Sequence, residues 1–157
     1  MLTESMEDYL ETIYRLMMVK GYVRAVDLSE ALNVQSSSVT RMIQKLDETG
    51  YLVYEKYRNI ALTAKGETYG EFLVWRDATL KQFLQLLNAK VGVDEQVEGM
   101  EHYITPSTMG LIRNLITFFA QNPKMLGEFQ ALQQIKQYPD QVDLKELRAW
   151  EFRHNPE

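Results

Sequence analysis

Residues 25–66 contain two short helical patterns followed by two β-prone runs, and this order constrains the fold more than any other feature of the chain. Residues 25–34 are predicted to form a short helix and a tight turn. Residues 36–46 are predicted to form a second helix, with Ser36 as a suitable N-cap. Apolar side chains recur along it at positions i, i+3, i+4 and i+7 and therefore share the face that packs on a core. They are Val39, Met42, Ile43 and Leu46.

A hairpin is predicted directly after the second helix. The runs 51–55 and 60–62 are rich in aromatic and branched residues, as strands are. Gly50 can end the preceding helix, and Thr63 can cap the following one. The tip between the two runs is basic and polar, with Lys56, Tyr57, Arg58 and Asn59. Two helices and a hairpin in this order predict a winged helix-turn-helix, which lays its second helix in the major groove of DNA.

The exposed face of the second helix carries hydroxyl, amide and basic side chains and no carboxylate. Its N-terminal half can approach base edges, while Arg41 and Lys45 reach phosphates. Gln35 can contact adenine through two hydrogen bonds, and a basic hairpin tip suits a phosphate backbone. An ordinary amphipathic helix has the same periodicity, so the hairpin at this spacing is what favours DNA binding. The predicted DNA-binding residues are Gln35, Ser36, Ser37, Ser38, Thr40, Arg41, Gln44, Lys45, Lys56, Tyr57 and Arg58.

Composition limits the class of protein. The 157 residues, 45% hydrophobic and 25% charged, suffice for one domain or two small ones with a real core. There are no cysteines, which excludes disulfides and thiolate metal ligands. Residues 1–5 do not resemble a secretion signal, and no apolar run approaches the roughly 20 residues that span a bilayer, so we expect a cytoplasmic protein without a membrane partner. The net charge of −5 is unusual for a DNA-binding protein, and the acids gather in two short segments.

The first acidic segment opens a helix that is predicted to be capped by Ser5 and to run to about Val19. It places Asp8 and Glu11 three residues apart on one face, where both carboxylates can meet a cation. Acids in a first helical turn are also favoured by the helix dipole alone. The segment therefore indicates either a metal site or an ordinary helix start.

The second acidic segment has a sharper spacing. On a helix, Glu98, Glu101 and His102 stand at i, i+3 and i+4, so two carboxylates and an imidazole converge. This combination of ligands suits a divalent cation such as Mn²⁺ or Fe²⁺. A solvated helix face would contain the same residues without any metal, so the segment by itself leaves both interpretations open.

Four blocks of the chain, residues 5–11, 37–42, 51–58 and 97–102, together resemble the manganese transport regulators. These form a branch of the diphtheria-toxin-repressor-like family, and the resemblance covers roughly residues 3–135. It implies a homodimer with an N-terminal winged helix and a C-terminal helical dimerisation domain, in which metal bound between the two domains turns on repression. The ligand positions that it implies are Asp8, Glu11, Glu98, Glu101 and His102.

The chain departs from the family pattern at one predicted ligand. The family has a histidine after an aromatic-arginine pair, whereas Trp75 and Arg76 are followed here by Asp77. If Asp77 is a ligand, the site holds five carboxylates and one imidazole, which suits Mn²⁺, Mg²⁺ or Ca²⁺ better than Zn²⁺. The alternative is that Asp77 points to solvent and that one of two metal positions is weakened or lost.

The fold class predicted from these patterns is mostly α, with a winged helix-turn-helix followed by an α-helical dimerisation domain. We expect a DNA-binding domain over residues 1–70, a metal-binding and dimerisation domain over 71–138 and a helical extension over 139–157. A linking helix is predicted from Thr63 to about Leu87, and Ser107 is the predicted cap of a later helix. That helix has an apolar stripe suited to a dimer interface, formed by Leu111, Leu115, Ile116 and Phe119.

The resulting hypothesis is a metal-dependent transcriptional repressor of metal-uptake genes. Its expected cofactor is Mn²⁺, with Fe²⁺ or another divalent cation as alternatives, and its expected partner is a palindromic double-stranded operator with no small-molecule substrate. One rival is a winged-helix regulator that responds to an organic ligand, in a pocket lined by Phe72 and Trp75. A metalloenzyme in which His102 and carboxylates activate water is the other rival, and we do not expect it because the chain has no second histidine near the cluster.

Overall fold

The computed structural model of the chain describes residues 2–54, 59–89 and 92–133. The described residues form two compact units, divided between Ala78 and Thr79. Both are mainly helical, which confirms the predicted fold class. The predicted hairpin tip, with Lys56, Tyr57 and Arg58, and the predicted extension 139–157 lie outside the described residues.

The first unit has the order of elements of a winged helix-turn-helix. Strands β1 and β2 are antiparallel, with Leu52 opposite Leu62 and Val53 opposite Ala61. A further bridge between Val23 and Ile60 joins the hairpin to the segment before the second helix. The elements are α1 (Glu4–Lys20), α2 (Ala25–Ala31), α3 (Ser36–Glu48), β1 (Leu52–Val53), β2 (Ala61–Leu62) and the first part of α4 (Ala64–Leu86).

The core of the first unit is built around the apolar stripe of α3. Val39, Ile43 and Leu46 are fully buried, as the periodicity predicts, while Met42 packs at the edge of the same cluster. Because one face of α3 is anchored in this way, its other face is left exposed. The buried side chains around the stripe come from the remaining elements and include Leu10, Ile13, Leu28, Leu52, Ile60 and Leu73.

Two predicted helix caps of the first unit are wrong, and in each case a residue earlier in the chain takes the N-cap position. Thr3 has an extended backbone and its Oγ accepts the N–H of Met6 at 3.3 Å, so Thr3 caps α1 and Ser5 is already helical. Gln35 likewise precedes α3 with an extended backbone, which makes Ser36 the first helical residue. Helix α3 therefore begins one residue earlier than predicted, and Gln35 lies directly before the N-terminal end of this helix, which is predicted to face DNA.

The ends of the hairpin agree with the sequence analysis. Gly50 follows α3 with a positive φ of 75°, a conformation that glycine adopts without strain. The Thr63 Oγ accepts the N–H of Gly66 at 3.1 Å and caps α4. The predicted linking helix is confirmed, with bounds Ala64–Leu86.

The described part of the second unit contains the end of α4, three further α-helices and a 3₁₀ turn. Its small core contains Leu80, Val97 and Met109. Thr105, and not the predicted Ser107, caps the helix that follows it, because the Thr105 Oγ accepts the N–H of Thr108 and a proline suits the first helical position. The elements are α5 (Val93–Met100), a 3₁₀ turn (Glu101–Tyr103), α6 (Pro106–Gln121) and α7 (Pro123–Gln133).

The predicted apolar stripe on α6 divides between core and surface. Ile116 and Phe119 are buried, whereas Leu111 is 67% exposed and Leu115 is 40% exposed. Such large apolar side chains in a row on one helix are typical of a protein interface. Among the helices that the structure describes, none combines the length and the hydropathy that crossing a bilayer requires.

Gly66 is expected to tolerate no side chain. A Cβ added there would overlap the carbonyl oxygen of Tyr51, whose position is fixed because it accepts the N–H of Thr63. Gly66→Ala should therefore force α4 away from the start of the hairpin and lower the free energy of unfolding by about 3 kcal/mol. Urea denaturation of the metal-free protein measures this loss.

The matched control is Gly127→Ala on α7, where an added Cβ meets nothing within 4 Å. It should leave the stability unchanged or raise it by up to about 1 kcal/mol, since alanine favours a helix over glycine. Equal stability of the Gly66→Ala protein and the wild type would refute the close packing of α4 against Tyr51.

Candidate metal-binding and DNA-binding residues

The predicted DNA-binding residues that the structure describes all lie on α3 or directly ahead of it. Gln35 and the serines 36–38 surround the N-terminal end of the helix and are exposed. Arg41, Gln44 and Lys45 continue the exposed face, and only Thr40 is half-buried. The Thr40 hydroxyl donates to the Ser36 carbonyl at 2.9 Å and is therefore engaged within the helix.

The chemistry of this face suits contact with DNA. The first turn of α3 has no acidic residue, and its unpaired backbone N–H groups point from the helix start. Anions are favoured at such a start, and the guanidinium and ammonium groups of Arg41 and Lys45 add positive charge further along. The described part of the interface can therefore bind phosphates at both ends and read bases between them.

In the first unit, the carboxylate of Glu7 on α1 bonds to two side chains of α4. Its Oε2 accepts from the Arg76 Nη1 at 2.9 Å, and its Oε1 accepts from the Tyr69 hydroxyl at 3.2 Å. Arg76 is only 3% exposed, and breaking a buried ion pair is strongly destabilising. Burial raises the pKa of Tyr69, and the neighbouring Glu7 raises it further. These contacts join α1 to α4 and were not foreseen from the sequence.

Glu11 and Asp77 are brought together by an arginine. The Arg15 Nε donates to the Glu11 Oε1 at 2.8 Å, and the Arg15 Nη2 donates to the Asp77 Oδ2 at 2.6 Å. Both carboxylate side chains are only 13% exposed, so Asp77 does not simply point to solvent. Burial lowers the pKa of Arg15, but the hydrogen bonds to Glu11 and Asp77 outweigh it and raise the pKa above the usual value. The guanidinium is therefore always charged.

Arg15 is a residue that the sequence analysis missed. It follows Glu11 by four residues, the spacing at which an acid and a base pair on a helix. That signal was available in the sequence. Its second partner, Asp77, lies 62 residues away and could be found only from the structure. Asp8, the remaining predicted ligand on α1, is half-buried.

In the second unit, Glu101 and His102 lie together in the 3₁₀ turn. Glu101 is 3% exposed, and the His102 Nε2 lies 3.9 Å from the Glu101 Oε1. Glu98 is exposed on α5. The structure thus holds one acid of this segment inside and leaves the other in contact with water.

The prediction of one regular helix through this segment is wrong. Helix α5 ends at Met100, and the chain is extended by Ile104 and Thr105. Proline disfavours the helical conformation in the residue before it, so Pro106 obliges the helix to end ahead of Thr105. The tightened turn alters the i, i+3, i+4 alignment, which explains why Glu98 and Glu101 differ in burial.

The types of donor in both units fit a divalent cation. A carboxylate as deeply buried as Glu101 is costly unless positive charge offsets it, and an imidazole beside it is a common metal ligand. With Asp8 and Glu11, the predicted set is rich in oxygen and has one nitrogen, which suits Mn²⁺ and similar cations. The described residues therefore have the chemistry of a metal site.

The aromatic residues that a rival hypothesis assigned to an organic ligand pack on one another. The Phe72 and Trp75 rings lie 5.8 Å apart, and Phe72 also contacts the Tyr69 ring at 6.0 Å. Tyr69 in turn meets Tyr51 edge to face at 5.6 Å. These four aromatic rings pack α4 against the start of the hairpin, and nothing in their arrangement favours an organic ligand.

Two family models match successive parts of the chain. Residues 1–60 match the N-terminal DNA-binding domain of the iron-dependent repressors, and residues 63–128 match their metal-binding and dimerisation domain. A curated relative, the HTH-type transcriptional regulator MntR of Bacillus subtilis, is 42% identical over 146 residues, which cover 90% of this chain and 100% of the relative. The regulator of the same name from Lysinibacillus sphaericus is 47% identical over 134 residues, or 82% of this chain and 94% of the relative.

Solved structures share the fold. The manganese regulator SloR superposes with a TM-score of 0.64 at 24% identity, and the IdeR of T. acidophilum superposes with a TM-score of 0.56 at 26% identity. Each match covers 74% of this chain and 55% of the other one. The chain thus spans about half the length of the solved structures that it matches.

Replacing one basic side chain on the exposed face of α3 tests whether this face binds DNA. Arg41→Ala should weaken binding to random-sequence duplex DNA and lower the slope of log affinity against log salt by about 1, because one phosphate contact is lost. Fluorescence anisotropy over a range of salt concentrations measures both quantities.

Lys124→Ala is the matched control, since Lys124 is an exposed basic residue on α7, far from α3 in the sequence. It should change neither the affinity nor the slope. If both variants lose affinity equally, total charge and not the α3 face governs DNA binding.

Proposed function

Because this chain belongs to the diphtheria-toxin-repressor-like family of iron-dependent repressors, as one of its manganese transport regulators, we propose that the cation it senses is Mn²⁺. It is a metal-dependent transcriptional repressor and not an enzyme. Its two matched domains bind DNA and form a homodimer. The observation that supports a metal site most strongly is the buried Glu101 carboxylate beside His102.

The ligands that we propose come from both units of the chain. Acidic side chains predominate, so a hard or borderline cation such as Mn²⁺ fits better than Zn²⁺, and Fe²⁺ is the next candidate. We include Asp77 because its carboxylate and that of Glu11 contact the same side chain, Arg15. The proposed ligand residues are Asp8, Glu11, Asp77, Glu98, Glu101 and His102.

Bound metal would supply positive charge that neutralises these carboxylates and favours the state of the protein that binds DNA. Asp8 and Glu11 contribute from α1, whose apolar side packs in the same core as α3. Glu101 contributes from a turn in which its side chain is buried. Fixing these elements selects the arrangement that binds DNA, and by reciprocity DNA binding should tighten the binding of metal.

The operator that we propose is a palindrome. Two α3 helices of a homodimer fit successive major grooves when they lie about one DNA turn apart, roughly 34–36 Å. Gln35 and Ser37 would contact base edges, and Arg41 would contact a phosphate. The exposed apolar residues Leu111 and Leu115 of α6 are suited to the dimer interface. We expect this activity in the cytoplasm, at genes for metal uptake.

The proposal is tested by removing the charge of Glu101 without changing its size. The probe is a duplex that the wild-type dimer selects from a random-sequence library in the presence of Mn²⁺. Mn²⁺ should raise the affinity of the wild type for this duplex by about tenfold or more, within the usual range of coupling energies. Glu101→Gln should abolish the increase while light scattering still finds a dimer.

Glu95→Gln on α5 is the matched control, because Glu95 is an exposed acid of the same segment and is not a proposed ligand. Its response to Mn²⁺ should equal that of the wild type. A wild-type affinity that is the same with and without Mn²⁺ would contradict the proposed function.

A further inference from the structure

Arg15 holds the two proposed ligands of the first unit with its own positive charge. It donates to Glu11 through Nε and to Asp77 through Nη2, at 2.8 Å and 2.6 Å. The carboxylates are 13% exposed, whereas the Arg15 side chain is 47% exposed. The acids are therefore fixed in the packed surface between α1 and α4, and the arginine reaches them from the solvent side.

This arrangement matters for any cation that approaches the same pair. The Glu11 Oε1 and the Asp77 Oδ2 already accept N–H groups of the guanidinium, so a metal ion that binds these atoms meets its positive charge at close range. Binding to the second oxygen of each carboxylate would place a divalent ion a few ångströms from a positive charge, which costs energy by simple Coulomb repulsion. In both cases Arg15 opposes the metal.

We propose that Arg15 is an internal cation that competes with Mn²⁺ for Glu11 and Asp77 and so sets the metal concentration at which the repressor responds. This inference rests on the proposed function, because it takes Glu11 and Asp77 as metal ligands. Without metal, Arg15 offsets the repulsion between the two acids. With metal, its exposed side chain has room to turn outward, and the cation takes its place.

A second consequence concerns the metal-free protein. Two carboxylates held close together repel each other, and a guanidinium that contacts both removes much of this cost. The contacts of Arg15 thus stabilise the first unit before metal arrives. Loss of the arginine should lower the stability of the metal-free protein. It should also raise the affinity for metal, because the competing charge is gone.

Calorimetric titration of the metal-free full-length dimer with Mn²⁺ tests this inference directly. Arg15→Gln removes the charge and keeps a polar side chain, and it should bind Mn²⁺ about tenfold more tightly than the wild type, or bind an additional ion per chain. Arg15→Lys keeps the positive charge and should stay close to the wild type. Adding Asp77→Asn to Arg15→Gln should cancel the gain, because the second carboxylate is then neutral.

Thermal unfolding supplies a readout that does not depend on DNA binding. Metal-free Arg15→Gln should melt at a lower temperature than the wild type, and saturating Mn²⁺ should raise its melting temperature by more than it raises that of the wild type. If Arg15→Gln does not fold, Arg15→Ala takes its place in both measurements, because alanine is the residue that best favours a helix.

Arg113→Gln is the matched control for the change in net charge. Arg113 is an exposed arginine of α6 whose Nη1 donates to the neutral Gln82 Oε1 at 3.2 Å. Its replacement should leave the affinity for Mn²⁺ unchanged. An equal gain in Arg113→Gln and Arg15→Gln would show a general charge effect and overturn the inference.

The remaining outcomes separate this inference from the proposed function. If the wild type binds Mn²⁺ and Arg15→Gln binds it equally well, only the competition by Arg15 is refuted. An equal gain in Arg15→Lys would also refute it, since the charge would then be irrelevant. If neither the wild type nor Arg15→Gln binds Mn²⁺, the proposed function itself fails.

Discussion

Helix α1 carries apolar and acidic residues on one rigid element, and the account of regulation depends on this combination. Leu10 and Ile13 are fully buried in the cluster that anchors the apolar stripe of α3. Asp8 and Glu11 lie within the same turns of α1 but on its partly exposed side. Close-packed interiors transmit displacement because they contain little free space. Under our proposal, a change at the acidic side of α1 is transmitted to α3 through this core.

Two arginines of the first unit illustrate different uses of the same charge. Arg76 is buried, and its ion pair with Glu7 joins α1 to α4. Arg15 is half exposed and pairs with Glu11 and Asp77, so its side chain can turn towards the solvent. Under our proposal, the first arginine maintains the unit that carries the ligands, and the second determines how readily a cation gains access to them.

Helical periodicity predicted most of the fold, since the burial of Val39, Ile43 and Leu46 follows directly from their spacing. Helix caps were less predictable, because hydroxyl residues close together in the chain, such as Thr3 and Ser5, compete and sequence alone does not decide between them. The turn at Glu101 departs from the predicted helix because Pro106 disfavours the helical conformation in the residue before it. The contact between Arg15 and Asp77 could not be predicted, since no local pattern links residues so far apart in the chain.

Under our proposal, the affinity for metal and the affinity for DNA are coupled, and the reciprocity of this coupling can be tested directly. Mn²⁺ affinity would be measured by calorimetry on the metal-free dimer and again on the dimer saturated with its selected duplex. The account predicts tighter Mn²⁺ binding in the complex, by the same factor by which Mn²⁺ tightens DNA binding. Identical Mn²⁺ affinities with and without DNA would contradict it.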